Sequence, residues 1–181
     1  RKGVKVTYVG VDEDCIVNTK DIEKAITDET ILVSVMHANN EVGTIQPLTE
    51  ISEICKKKGI YFHTDAAQTV GKIQINVNHL GVDLLSIAGH KFYVPKGIGA
   101  LYIKDGVKIE NLIHGANHEM GKRAGTENVA GIVALGKASQ IASENMDEYN
   151  KRISYLRDLL HEKLKSIAKV KLNGSTDERL P

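Results

Sequence analysis

The chain has 181 residues, 41% hydrophobic and 26% charged, with 16 glycines and 3 prolines, a composition that fits a folded globular protein and excludes disorder as the main state. Lys plus Arg number 24 and Asp plus Glu 23, leaving +1, so no global field draws in nucleic acid or an anionic membrane. The longest apolar runs, 31–36 and 98–103, fall far short of the ~20 residues a spanning helix needs, and Cys15 and Cys55 make no disulfide framework.

In chain order, the run 31–36 is nearly continuous, apolar and rich in branched residues, as expected of a strand buried on both faces. It breaks at Asn39, Asn40, Glu41, Val42 and Gly43. From Pro47, apolar residues recur at three and four positions (Leu48, Ile51, Ile54, Cys55). Lys56, Lys57 and Lys58 then close the segment and Gly59 comes next, which predicts a helix. Residues 60–64, 83–88 and 99–103 read as three further strands. Strand, helix and strand in this rhythm predict an α/β fold with a mainly parallel sheet and right-handed crossovers. The last third reads as two helices, 128 to about 146 and 149 to about 168, the second with an apolar stripe of Ile153, Leu156, Leu159, Leu160, Leu164 and Ile167. Val170 to Leu172 is expected to be a strand opening a second subdomain. No stretch has the order of a signal peptide, which leads to the expectation of a cytoplasmic protein. The ends, Arg1 and Pro181, lead to the expectation of a piece of a longer chain.

Open parallel sheets bind ligands beyond the carboxyl ends of their strands, so the polar residues just after each strand carry the functional reading. They are Asn39, Asn40 and Glu41; Asp65 and Gln68; Gly89, His90 and Lys91; and the stretch 115–126. They are expected to converge on one crevice. A lysine entering a cleft can be desolvated, so that its amine is neutral and nucleophilic, although a lysine after a strand can also simply point to water. Asp65, at the end of a neighbouring strand, offers the fixed negative charge that a pyridinium nitrogen needs, and its plain alternative is a cap on the next turn. Together Asp65 and Lys91 fit a pyridoxal phosphate site. A zinc reading drawn from His63, Asp65, His114, His118 and Glu119 is weakened by Gly115, Asn117 and Gly121, which make the His114–His118 spacing a loop, and no metal is expected.

Three spaced segments carry a resemblance across essentially all 181 residues. They are His63 through Gln68; Asp83 through Lys91 with Phe92, Tyr93, Pro95, Lys96 and Gly97; and Gly121 through Asn128. The sequence resembles the cysteine desulfurases, pyridoxal phosphate enzymes of aminotransferase class V. The resemblance implies the type I aspartate aminotransferase fold, with 1–127 as the later part of the large cofactor-binding domain and 128–181 as connecting helices and the start of the small domain. It implies that Lys91 forms the Schiff base with the cofactor, that Asp65 faces the pyridine nitrogen and that Gln68 binds the ring hydroxyl. It also implies Asn40 beside the ring, His90 at the phosphate, and Thr126 reaching the phosphate of a neighbouring subunit's cofactor, with Arg123 in the same loop. A homodimer acting on L-cysteine or L-selenocysteine, and passing sulfur to an acceptor protein for iron–sulfur or thiolation pathways, is implied as well. Neither nucleic acid nor a membrane is expected as a partner.

The departures from the pattern bear on the phosphate and the substrate. Ala88 stands where many members have a phosphate-binding serine, Val94 where a glycine is common, and Ala116 and Asn117 where two glycines are usual. Apolar residues at the Ala88 position resemble the selenocysteine lyases, which keeps that substrate open. Neither cysteine matches the family's sulfur nucleophile, which lies downstream of the lysine. Cys55 falls on the apolar face of the Pro47 helix, where an inert thiol is expected. The family's upstream phosphate loop and ring-stacking histidine have no counterpart here. These 181 residues alone are therefore expected to be inactive. A reading from another class, a dimer-forming interaction module with a vestigial site, draws on the same Ala88.

Overall fold

The computed structural model describes residues 3–181. Helix α1 spans Thr19–Ala25, strand β1 Leu32–Met36, helix α2 Leu48–Lys58 and strand β2 Tyr61–Asp65. Helix α3 spans Val77–Leu80, β3 Leu84–Ala88, a 3-10 turn Gly89–Phe92, β4 Gly99–Ile103 and α4 Val129–Ile167. The four strands lie in the order β1-β2-β3-β4, with β1, β2 and β3 parallel. The α/β class and the mainly parallel sheet are thus as the pattern predicts. Strand β4 runs antiparallel to β3, pairing Ala88 with Gly99 and Leu84 with Ile103. The segment between β3 and β4 is too short for a crossover, which needs a dozen or more residues, so the chain turns back.

Helix α2 keeps closely to its sequence signals. Gly59 closes it in the left-handed region at φ 68, a conformation open to glycine without a side-chain clash, and its N–H returns to the carbonyls of Cys55 and Lys56. Leu48, Ile51 and Cys55 recur at helical spacing, so one face of α2 lies on Phe62 and Leu85 of the sheet, with Val17, Ile22 and Val82 completing the core. Asp83 ties the layer together: its Oδ2 accepts the Phe62 N–H at 3.0 Å and its Oδ1 meets Lys104 Nζ at 3.2 Å.

The opposite face of the sheet is different in kind. Leu32, Tyr61 and Leu101 are exposed there. Between them Ser34 Oγ meets His63 Nδ1 at 2.8 Å, and His63 Nε2 meets Ser86 Oγ at 2.9 Å, a polar chain across three strands. Burial lowers the pKa of His63, and the nearby charge of Asp65 opposes that shift. The expectation that these strands are buried on both faces therefore holds on one face only among the described residues.

Two expectations for the last third are corrected. The segments read as two helices are one helix of 39 residues, about 58 Å long, because residues 146–150 contain neither Gly nor Pro and nothing there breaks the hydrogen-bond ladder. Asn128 caps it, its Oδ1 accepting the Gly131 N–H at 3.1 Å. Val170 to Leu172 is not a strand; no neighbour offers those residues a ladder, and an isolated strand has no stability of its own. The chain instead returns to the loop after β1, where Arg179 bridges Thr44, Ile45 N–H bonds Glu178 O at 2.8 Å and Leu180 N–H bonds Gly43 O at 2.9 Å. No described helix is long and apolar enough to cross a membrane.

His37 just beyond β1 is 4% exposed, its Nδ1 has no partner among the described residues, and burial lowers its pKa from 6.5 to about 4. The unfolded chain takes up this proton below pH ~6.5 and the folded chain only near pH 4, so the stabilisation is complete above 6.5 and is lost as pH falls toward 4, by about 3 kcal/mol. Urea unfolding at pH 7 and pH 4.5 is expected to show wild type losing about 2 kcal/mol more than His37→Gln over that interval. Equal losses would show that His37 is not the group responsible.

Candidate active site

The carboxyl ends of β1, β2 and β3 lie on one rim of the sheet. Register places Met36 beside Asp65 and Asp65 beside Ser86, so the segments leaving these strands emerge at neighbouring points. Asp65 ends β2 and is exposed on the rim, with Oδ1 accepting the Ala67 N–H at 2.8 Å. The carboxylate therefore does cap the next turn, as the plain reading expects, yet no donor takes Oδ2 among the described residues. That turn is helical, with Thr69 and Val70 N–H groups returning to Ala66 O, and it carries the half-buried Gln68.

Lys91 and His90 lie in the 3-10 turn directly after β3, both at its solvent side, with Lys91 exposed. Phe92 anchors that turn from below, buried at 4% exposure, and the left-handed Tyr93 (φ 71) ends it with its N–H on Gly89 O. The two turns meet without clearance. A Cβ on Gly71, which is itself left-handed at φ +79, would stand 2.9 Å from Phe92 Cβ. Helix α4 braces both: Tyr149 Oη meets Tyr93 Oη at 2.9 Å, and Asn150 Nδ2 donates to Lys72 O.

After β1, Asn39 Oδ1 accepts the Glu41 and Val42 N–H groups, a tight loop that carries Asn40 at its surface. Its outer side is held by Arg179, whose Nη2 donates to Val42 O at 3.2 Å while Nη1 donates to Ser175 O at 3.1 Å. Sequence reasoning misses both Arg179 and Lys72. A signal for Lys72 exists, since it stands four residues after Gln68. None exists for Arg179, whose partners Val42 and Thr44 are far away in sequence.

Because β4 runs antiparallel, its carboxyl end leaves from the other edge of the sheet, and no hydrogen bond or ion pair ties Thr126 or Arg123 to Asp65, Gln68 or Lys91 among the described residues. Thr126 is exposed, and Arg123 Nη1 donates to Ala124 O at 3.1 Å. No cluster of His, Cys, Asp and Glu among the described residues has the arrangement of a metal site.

The family model for aminotransferase class V matches residues 1–181. The chain belongs to the aminotransferase class V family. Among curated relatives of this class V chain, it is 60% identical to "Cysteine desulfurase IscS" of Clostridium botulinum (strain Hall), the match covering 100% of the chain and 46% of the relative. Among solved structures it superposes on a "NIFS-LIKE PROTEIN" with a TM-score of 0.95 at 44% identity, covering 99% of the chain and 50% of that structure. It also superposes on "SspA in complex with cysteine" at a TM-score of 0.75 and 40% identity, covering 84% of the chain and 46% of that structure. The class V chain thus spans about half the length of the relatives it matches.

The two cysteines of this class V chain are placed where neither serves as an accessible thiolate on a free loop. Cys55 is 1% exposed, and burial, with the Asp83 charge adding to it, pushes its thiol up to about 11, so it stays protonated at neutral pH. Cys15 is half-buried in a tight turn at φ 61, with its carbonyl accepting Gln46 Nε2 at 2.8 Å.

Proposed function

We propose that the chain is the lysine-bearing half of a pyridoxal phosphate-dependent cysteine desulfurase, a sulfurtransferase that converts L-cysteine to alanine and passes the sulfur on as a persulfide. One observation carries the reading: a carboxylate, an amide and a lysine, Asp65, Gln68 and Lys91, stand after adjacent parallel strands on one rim, with the Lys91 charge felt by the lysine that grips Gln68. The likeness to the cysteine desulfurase of Clostridium botulinum supports the activity, and the likeness to SspA in complex with cysteine supports that substrate over selenocysteine.

The donor set fits the ring end of pyridoxal phosphate. Asp65 keeps one carboxylate oxygen for a ring nitrogen, Gln68 keeps its NH2 for a ring oxygen, and Lys91 presents an amine. The phosphate end is thinner: His90 and Thr126 are exposed, and Ala88 offers no hydroxyl. When bound, the cofactor supplies an electron sink that acidifies the Cα–H bond of an amino acid. Asp65 holds a proton on the ring nitrogen by its negative charge, which keeps that sink effective. Lys91 would hold the cofactor through Nζ, and its amine, in the turn directly after β3, would be the group to take and return the Cα proton. Phe92, buried beside Lys91, anchors the turn that carries it.

The proposal assigns the sulfur nucleophile to neither cysteine of these residues, since Cys55 is buried and Cys15 is half-buried in a tight turn. Domain limits at 1–127 and 128–181, a cytoplasmic homodimer and an iron–sulfur or thiolation acceptor complete the proposal. Thr126 on an exposed loop beside the exposed Val129, Ile132 and Val133 of α4 supports a subunit contact there. Incubating the full-length protein with L-cysteine and, separately, L-selenocysteine tests the reading. Alanine forming from cysteine at a higher kcat/KM supports it; alanine from selenocysteine alone makes it a selenocysteine lyase, and alanine from neither makes it a non-catalytic module.

A further inference from the structure

Lys72 is the side chain on this rim that the sequence motifs leave without a task. Its Nζ donates to the main-chain oxygen of Gln68 at 2.8 Å and reaches the side-chain oxygen Oε1 at 3.4 Å. The second contact is long for a hydrogen bond, and the attraction between an ammonium and an amide dipole still sets its sense. Lys72 is half-buried; burial lowers its pKa, and the charge of Lys91 adds to that effect. Gln68 and Lys72 therefore form one pair, within reach of the Lys91 charge.

The base of this pair has little freedom. Gly71 leaves no room between its own backbone and Phe92, and Asn150 of α4 holds the Lys72 carbonyl.

An ammonium only donates, so Gln68 can answer Lys72 only with its oxygens. The amide must then turn Oε1 toward Lys72 and its NH2 the other way. Among the described residues no hydrogen bond uses the hydrogens of that NH2. We propose that Lys72 is a positioning residue, gripping the oxygens of Gln68 so that the amide NH2 is presented as the donor to the ring oxygen of the cofactor. The inference rests on the pyridoxal phosphate reading above. Without Lys72, Gln68 can rotate by half a turn and present an acceptor to an oxygen anion, which repels it.

A donor on the ring oxygen favours its anionic form, and losing that donor makes the neighbouring imine nitrogen hold its proton to higher pH. Lys72→Met keeps the aliphatic stem and removes the donors. In the full-length holoprotein, titrated by its visible absorbance, Lys72→Met is expected to raise the pH midpoint, with the protonation equilibrium shifted about three- to tenfold. Lys72→Arg, which retains donors for both oxygens, is expected to stay near the wild-type midpoint. In a Gln68→Ala background Lys72→Met is expected to add nothing, because the two changes remove one interaction. Lys72→Gln, neutral and shorter, gives the same direction where Lys72→Met fails to fold.

A wild-type midpoint in both neutral variants overturns the proposal. So does an equal shift with and without Gln68, which would mean that the Lys72 charge acts on Lys91 directly. A wild-type protein that shows no visible band with added pyridoxal phosphate overturns the cofactor reading itself, and the role of Lys72 with it, so the two failures are told apart.

Discussion

Lys91→Ala in the full-length protein is expected to abolish the visible absorbance of the bound cofactor and to lower kcat for alanine formation by about 10³- to 10⁴-fold. The size reflects two roles falling on one amine. In the proposed function Nζ would both hold the cofactor and move the Cα proton, so truncation would remove the attachment and the base together. The fold should be untouched, because Lys91 is exposed at the end of a turn whose packing comes from Phe92 and Gly89. Circular dichroism and melting temperature close to wild type, beside lost absorbance and lost turnover, are the combination expected. Retained turnover with Lys91 absent would remove the lysine from the mechanism.

Asp65→Asn carries the second large effect. Asn keeps an oxygen to accept the Ala67 N–H, so the turn after β2 should hold and stability should change by less than about 1 kcal/mol. What is lost is the charge. A neutral amide cannot keep a ring nitrogen protonated, the electron sink weakens, and kcat is expected to fall by about 10²- to 10³-fold while the cofactor still binds through Lys91. Steady-state kinetics with cysteine, alongside the visible spectrum, checks this. A variant that keeps wild-type kcat would mean that Asp65 is only a turn cap.

Much of the fold is legible because local signals are strong and consistent. Helix α2 carries an apolar stripe, a basic end and Gly59, and the structure reproduces it within a residue of each signal. Strands β1 and β3 are apolar runs interrupted by a single serine each, β2 is short and bounded by Gly59 and Asp65, and Asp65 ends β2 while Lys91 follows β3 by three residues. The direction of β4 is not legible, since the run 99–103 looks the same whichever way it is laid; the short link from Ala88 to Gly99 decides it. The continuity of α4 is hidden because Met146, Asp147 and Glu148 lower the apolar pattern without breaking a helix. Polar pattern marks a change of environment, whereas ending a helix requires a change in backbone preference.

The site divides in the same way. Lys91, Asp65 and Gln68 declare themselves by their positions just after strands, a rule of topology. Arg179 acts through a contact formed only when distant segments meet, on the Val42 carbonyl from the far end of the chain, and Lys72, although it reaches Gln68 from only four residues on, is braced by Asn150 of α4 from 78 residues away. Spacing along a sequence carries no record of such meetings. Thr126 shows the opposite case, a residue marked by its motif that is exposed and whose proposed partner is a second subunit.

The most direct measurement is to reduce the full-length protein with borohydride in the presence of pyridoxal phosphate, digest it, and locate the modified lysine by mass. A single pyridoxyl group on Lys91 is the expected result. A pyridoxyl group on Lys72 or another lysine, or none at all, would contradict the assignment of Lys91 as the lysine that holds the cofactor.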